Sequence, residues 1–371
     1  MSNLPETILQ FGTGKFLRAF ADLFVHELNE QGRGAGRVVA LQSTGSQRAE
    51  LLNRQGGRYH VAIRGLEQGQ RVDRVVEVES IGRSLNAQAD WGEVLAVACR
   101  PTLTTIVSNT TEAGYALADE DKPTDRPPRS FPAKLLAVLQ ARFDRGQTGL
   151  AILPCELLEH NGDRLLQLVL AQAERWGLAG RLVDWLRTQC TWCSTLVDRI
   201  VSAPSAGDPL AARDPLFAVA EPFALWLIER LPPGTPLAGH PAVRQVEKLE
   251  PYHLRKVRIL NGAHTALVAK AMPLGFQTVR EAVLDPRIGS WLTSLLVEEI
   301  VPTLEGRTEA PHAFAAEVLQ RFANPFLEHR LADIALHHDV KLQTRLVPTY
   351  REYRERFGRE PRLLGEILPG V

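Results

Sequence analysis

The sequence predicts an α/β N-terminal half of parallel strands and helices, followed by a mainly α-helical C-terminal half. Three observations predict it. A strand, glycine turn, helix, strand pattern opens the chain between residues 7 and 41. Short apolar runs, each ending in polar residues or a turn, then recur as far as residue 200. A Pro/Gly-rich segment at 231–241 precedes a run of helical patterns. At 371 residues the chain is too long for one compact core, and the boundaries read as 1–235 and 245–371.

The elements follow in order. Thr7–Phe11 is a short apolar run that stops at Gly12-Thr13-Gly14-Lys15-Phe16. Phe16, Phe20, Leu23, Phe24 and Leu28 then recur at three- and four-residue steps, as on a helix. Gly32, Gly34 and Gly36 make a turn, and Val38–Leu41 read as a second buried strand. This is the opening of a dinucleotide-binding βαβ unit, in which glycines let the backbone approach a pyrophosphate. Leu17 stands where the third glycine of the G-x-G-x-x-G pattern would be. The second strand ends in Gln42-Ser43-Thr44, where an acid would hold the ribose hydroxyls of NAD. These residues leave NAD and NADP both open, and Arg48 is near enough in sequence to reach a 2′-phosphate.

Further strand-like runs are Val75–Val78, Leu103–Val107, Leu150–Leu153 and Ser194–Ile200. Ser108 to Gly114 and Pro154 to Leu157 follow the second and third of these. They fall where ligand loops sit in open parallel sheets, although turn and capping chemistry accounts for them equally well. Past the Pro/Gly segment, helical patterns cover 252–272, 277–283, 287–302, 311–322 and 326–338.

The first of these helical patterns carries Lys256-Val-Arg-Ile-Leu-Asn261-Gly-Ala-His264. On an α-helix, His264 and Asn261 would lie about 80° and about 140° from Lys256. An ammonium, an amide and an imidazole then leave one side of the helix. A lysine of lowered pKa can take a proton from a carbinol, while the amide and imidazole bind the oxygen on which charge develops.

Lys plus Arg and Asp plus Glu both number 43, so no basic excess points to nucleic acid. No apolar stretch reaches the length of a membrane helix, and the first residues lack signal-peptide character. A cytoplasmic enzyme with a small-molecule substrate is expected; oligomeric state is left open. Four cysteines are too few for a disulfide framework, so Cys190-Thr-Trp-Cys193 reads as structural. His337-His338-Asp339 is a poor metal site because adjacent helical side chains diverge, and no metal is expected.

Taken together, these motifs resemble the long-chain mannitol dehydrogenase family from about residue 7 to residue 350. The resemblance rests on Phe11–Phe20, Asn161-Gly-Asp163, Leu196-Val-Asp-Arg-Ile200 and the Lys-x4-Asn-x2-His signature at 256–264. Ser108–Gly114, Phe131-Pro-Ala-Lys134, Ile152–Leu157 and Cys193–Ile200 resemble the branch that interconverts tagaturonate and altronate. Leu157 stands where the mannitol branch carries an oxyanion-binding Asn, and His253 where mannitol-type members carry a Glu.

The resemblance implies a Rossmann-like N-terminal domain, a helical C-terminal domain, NAD(H), no metal and an active site between the domains. It implies Lys256 as general acid/base, Asn261 polarising the reacting oxygen, and His264 orienting a sugar-acid substrate. Gly12, Thr13, Gly14, Lys15, Phe16, Arg18, Ser108, Asn109, Thr110 and Glu112 would contact the cofactor, and Asp198 the substrate. A sugar acid needs a cationic anchor, for which Lys341 and Arg345, four apart on one helix face, are the candidates. Fructuronate or a neutral polyol are alternative substrates. Tagaturonate-type members continue for roughly a hundred more helical residues, so the C-terminal domain is expected to be incomplete. A dinucleotide-binding remnant without turnover is therefore a further alternative.

Overall fold

The computed structural model describes residues 4–371 except 68, 179, 206, 327 and 369, and gives the backbone alone at 112. The chain forms two compact units. One holds the residues up to Ile63 together with Arg74–Leu249, and the other holds Arg64–Asp73 with Glu250–Val371.

The first unit is built on six parallel strands: β1 (Glu6–Phe11), β2 (Arg37–Gln42), β3 (Ile81–Asn86), β4 (Thr105–Ser108), β5 (Ala151–Pro154) and β6 (Thr191–Trp192). Their order is β3-β2-β1-β4-β5-β6, that of a Rossmann sheet. The order reverses between β1 and β4, and in such sheets ligands bind outside the strands' carboxyl ends at that point. Both faces are covered, which is why the strands read as continuous apolar runs. Leu9, Phe11, Val39, Leu41, Ile106 and Ile152 pack with Leu135, Leu136 and Leu139 of the helix Phe131–Asp144. Ser130 caps that helix by accepting the Ala133 N–H, with Pro132 in its first turn.

Three features of this unit are not legible in the apolar pattern of the sequence. Strand β3 carries no apolar signal, because Ile81-Gly-Arg-Ser-Leu-Asn is half polar. It is held by side chains instead: the Ser84 hydroxyl donates to Ala40 O at 2.8 Å and the Ser84 N–H to Asn53 Oδ1 at 2.8 Å. Val75–Val78 lies outside the parallel sheet, within a strand Gln70–Val78 that pairs with Tyr59–Glu67 in a separate four-stranded sheet. The Pro/Gly-rich segment is packed, not a solvated linker. Leu237 is fully buried and His240 stacks on Phe24 at 4.0 Å while meeting Glu27 at 2.8 Å.

The second unit is helical around a core that includes Ile259, Leu267, Leu292, Leu295, Ile300, Val318 and Leu346. Its helices contain three π-helical turns, at Lys256–Asn261, Leu295–Ile300 and Leu342–Leu346. The last two directly precede Pro302 and Pro348, which lack an N–H and crowd the carbonyl one turn back. The expected helix at 326–338 shrinks to Leu331–Ile334. Pro325 precedes it, Arg330 forms a β-bridge with Thr278, and His337 turns left-handed with φ 56°. A helix not expected from the sequence, Val347–Phe357, carries Pro348 in its first turn. No helix among the described residues is long and apolar enough to cross a membrane.

Candidate active site

The turn after β1 is shaped by two glycines with different duties. Gly12 has φ +127°, a conformation L side chains rarely adopt, and a Cβ there would lie 3.2 Å from Asn109 O and from Leu17 Cδ1. Gly14 has an ordinary φ of −66°, and a Cβ there would meet nothing within 4 Å. The space over Gly14 is thus open, and the turn fits a pyrophosphate approaching the first N–H groups of Lys15–Arg18. Lys15 is exposed beside it and Phe16 stacks on Phe20 at 4.9 Å.

Arg18 takes a different place from the one expected. It is 4% exposed, and its guanidinium donates to Thr13 O at 2.5 Å and Leu216 O at 2.9 Å. It holds the turn from within instead of facing a ligand, and burial lowers its pKa. Beside it, Asp22 is fully buried, accepts from Gln10 Nε2 at 3.2 Å, and is pushed up to about 7 by burial.

The loop after β4 joins the loop after β5 through Glu156. The Ser108 hydroxyl, the Thr110 N–H and hydroxyl, and the Tyr115 hydroxyl all donate to its carboxylate, at 2.8–3.2 Å. Burial raises its pKa, and those donors oppose the rise. Asn109 Nδ2 donates to Cys155 O at 2.9 Å. Asn161, fully buried, donates to Pro154, Glu156 and Thr195 carbonyls and accepts the N–H groups of Gly162 and Thr195. This makes Asn161-Gly-Asp163 a structural clamp; a Cβ at Gly162 would strike Cys193 O at 2.4 Å. Ser108 and Thr110 are consequently tied to Glu156, which the sequence reading had not placed in the site. The Glu112 side chain lies outside the described residues.

Asp198 ends the strand Thr195–Asp198 of the first unit and is 5% exposed. Its neighbour Arg199 donates to Glu221 O and Ala19 O.

In the second unit, Lys256 and Asn261 begin and end a π-helical turn, and His264 sits in the α-helix Gly262–Ala271 that continues it. The wider i→i+5 turn advances each residue by less than the 100° of an α-helix, so the trio is less spread than an α-helical wheel implies. π-turns of this kind recur at functional sites. His264 is 8% exposed, stacked on Phe322 at 4.2 Å and edge-on to His329 at 4.8 Å, and its Nε2 is buried with no hydrogen-bond partner. Burial first, then His329, Arg321, Arg345 and Lys341, hold its pKa well below the ordinary value, so the ring is neutral.

Arg345 and Lys341 do come together around this group. Arg345 Nη1 donates to Thr265 Oγ1 at 3.2 Å, and that hydroxyl donates to Asn261 O at 2.9 Å. Lys341 Nζ donates to Ile334 O at 2.7 Å, which uses one of its three donors. Neither cation is paired with a carboxylate among the described residues. Arg321 and His329 were absent from the sequence reading. They are separated from the trio by more than fifty residues, and no short motif links them.

Two family models cover most of the chain: the mannitol dehydrogenase Rossmann domain over residues 6–236 and the mannitol dehydrogenase C-terminal domain over 248–367. An altronate oxidoreductase of Halalkalibacterium halodurans is 40% identical over 98% of this chain and 74% of its own length. One of Bacillus subtilis is 39% identical over 97% of this chain and 78% of its own. Among solved structures, a D-sorbitol dehydrogenase superposes with a TM-score of 0.84 at 25% identity, over 95% of this chain and 77% of that one. The Pseudomonas fluorescens mannitol 2-dehydrogenase, solved with NAD and D-mannitol, gives 0.78 at 21% identity, over 98% and 78%, and supports the fold alone. A Rossmann turn open at Gly14 and a Lys-x4-Asn-x2-His segment are therefore found in a chain matched along nearly its whole length, and the protein belongs to the mannitol dehydrogenase family.

Proposed function

We propose that this chain is an NAD(H)-dependent oxidoreductase that interconverts altronate and tagaturonate, with Lys256 as its general acid/base. The observation that carries the reading is the cluster of positive groups around neutral His264, in which Arg345 and Lys341 have no acid partner among the described residues. Partly buried cations without counter-charge are costly unless an anion joins them, and the carboxylate of a sugar acid is such an anion. The altronate oxidoreductases that resemble this chain agree with that choice.

The bound nicotinamide supplies or accepts the hydride. Lys256 takes the carbinol proton in the oxidative direction and returns it to the ketone oxygen in the reductive one. Asn261 donates its amide N–H to the oxygen on which charge develops, and neutral His264 orients the same group through its unpartnered Nε2. Keeping the imidazole neutral reserves the proton transfer for the lysine. Arg345 and Lys341 bind the carboxylate, and Asp198 serves the substrate's hydroxyls. Gly12–Phe16, with Asn109 behind the turn, receive the dinucleotide, while Ser108 and Thr110 act through Glu156 to fix the loop beside it.

The test is NADH oxidation by the purified chain with tagaturonate, fructuronate and fructose side by side. Turnover fastest on tagaturonate is expected. Equal or faster turnover on fructose would remove the carboxylate from the reading.

A further inference from the structure

In a Rossmann sheet the residues that follow the second strand meet the adenosine ribose. An acid there holds the 2′-hydroxyl of NAD, whereas an arginine nearby accommodates the 2′-phosphate of NADP. Here the segment after β2 is Gln42-Ser43-Thr44-Gly45-Ser46-Gln47-Arg48-Ala49, without a carboxylate. Gln42, the residue at the strand end, is 8% exposed and fully engaged with its own loop. Its Nε2 donates to Thr44 O at 2.7 Å and its Oε1 accepts the Ala49 N–H at 2.7 Å. Asn86, at the end of neighbouring β3, fixes the same loop by donating to Gly45 O at 2.7 Å. The loop is thereby held in one shape, and neither amide is left to bind a ribose diol.

What the loop leaves free is of the opposite chemistry. Ser43, Thr44 and Ser46 make no side-chain hydrogen bond among the described residues, and Arg48, exposed in the first turn of the helix Gln47–Arg54, pairs with no carboxylate. Arg48 is close enough to act on Arg18, lowering its pKa, so its charge lies on the side of the β1 turn. An exposed guanidinium and three hydroxyls, with Glu50 the acid of the same helical turn but not paired to Arg48, match a dianionic phosphate better than a neutral diol.

We infer that the ribose end of the dinucleotide site is a 2′-phosphate receptor centred on Arg48, and that the chain binds NADP(H) as well as NAD(H). The inference concerns the cofactor alone and does not depend on which sugar acid is the substrate.

Nicotinamide fluorescence titration of the whole chain tests it by binding, without turnover. NADPH should bind within about tenfold of NADH. Arg48→Gln should weaken NADPH about ten- to a hundredfold, the range for a lost hydrogen bond to a charged group, and NADH less than about twofold. NADPH binding more than about tenfold weaker than NADH in the unsubstituted chain overturns the inference, as does an equal loss for both in the variant. Competition against bound NADH provides an arm that needs no substitution. Adenosine 2′,5′-bisphosphate should displace NADH at lower concentration than 5′-AMP; equal or weaker displacement also overturns it.

Discussion

The two units treat their polar groups in opposite ways. In the first, nearly every functional-looking side chain is spent on the protein itself: Arg18 on two carbonyls, Asn161 on five backbone groups, Ser108 and Thr110 on Glu156. What remains for a ligand is backbone and open space over Gly14, together with the side chains of Ser43, Thr44, Ser46 and Arg48 in the loop after β2. Among the described residues of the second unit, His264 Nε2 has no partner, and Arg345 and Lys341 have no acid. On the proposed reading, the pyrophosphate is met by main chain and the sugar acid by side-chain charge. The difference teaches where substitutions should touch chemistry and where they should touch folding.

The largest effect is expected at the boundary of the π-turn. Lys256→Ala should lower kcat by about 10²–10⁴, the usual worth of a positioned proton transfer, with the NADH Kd within about twofold. Stopped-flow turnover with a parallel NADH titration checks it. An equal loss of binding and rate would assign the lysine to the cofactor.

Next comes a folding effect in the first unit. Burial raises Asp22 from 3.8 to about 7, so between those values the unfolded chain ionises while the folded one stays protonated. The stability contributed by the neutral carboxyl is full below pH 4 and is lost as pH rises through 7. Asp22→Asn removes that dependence. It should gain on the unsubstituted chain by about 3 kcal/mol between pH 5 and pH 8, read as urea midpoints. A difference that does not change with pH would show Asp22 ionised in the fold.

The glycine turn gives the smallest stability effect and separates folding from binding. Gly14→Ala should leave stability within about 0.5 kcal/mol, because φ is ordinary and the space is open. NADH affinity should fall about tenfold or more as the methyl enters the pyrophosphate cradle. Unchanged affinity would place the pyrophosphate elsewhere.

How much of this was legible in the sequence follows the same division. Buried parallel strands are apolar throughout, so β1, β2, β4 and β5 could be read directly. β3 could not, because hydrogen bonds from Ser84 and Asn53 stand in for apolar burial. The glycine turn and the 256–264 segment were legible as motifs. The π-turn was not, since periodicity assumes 3.6 residues per turn. Arg321 and His329 are assembled by tertiary packing, and Arg18 looked like a ligand because its spacing cannot reveal that the side chain points inward.

The cationic cluster beside His264 carries the substrate reading, so the most direct measurement is the KM of Arg345→Ala for tagaturonate and for fructose. A rise of about ten- to a hundredfold for the sugar acid, with less than about threefold for the neutral ketose, is the predicted result. Equal changes for the two substrates would contradict carboxylate recognition by the second unit.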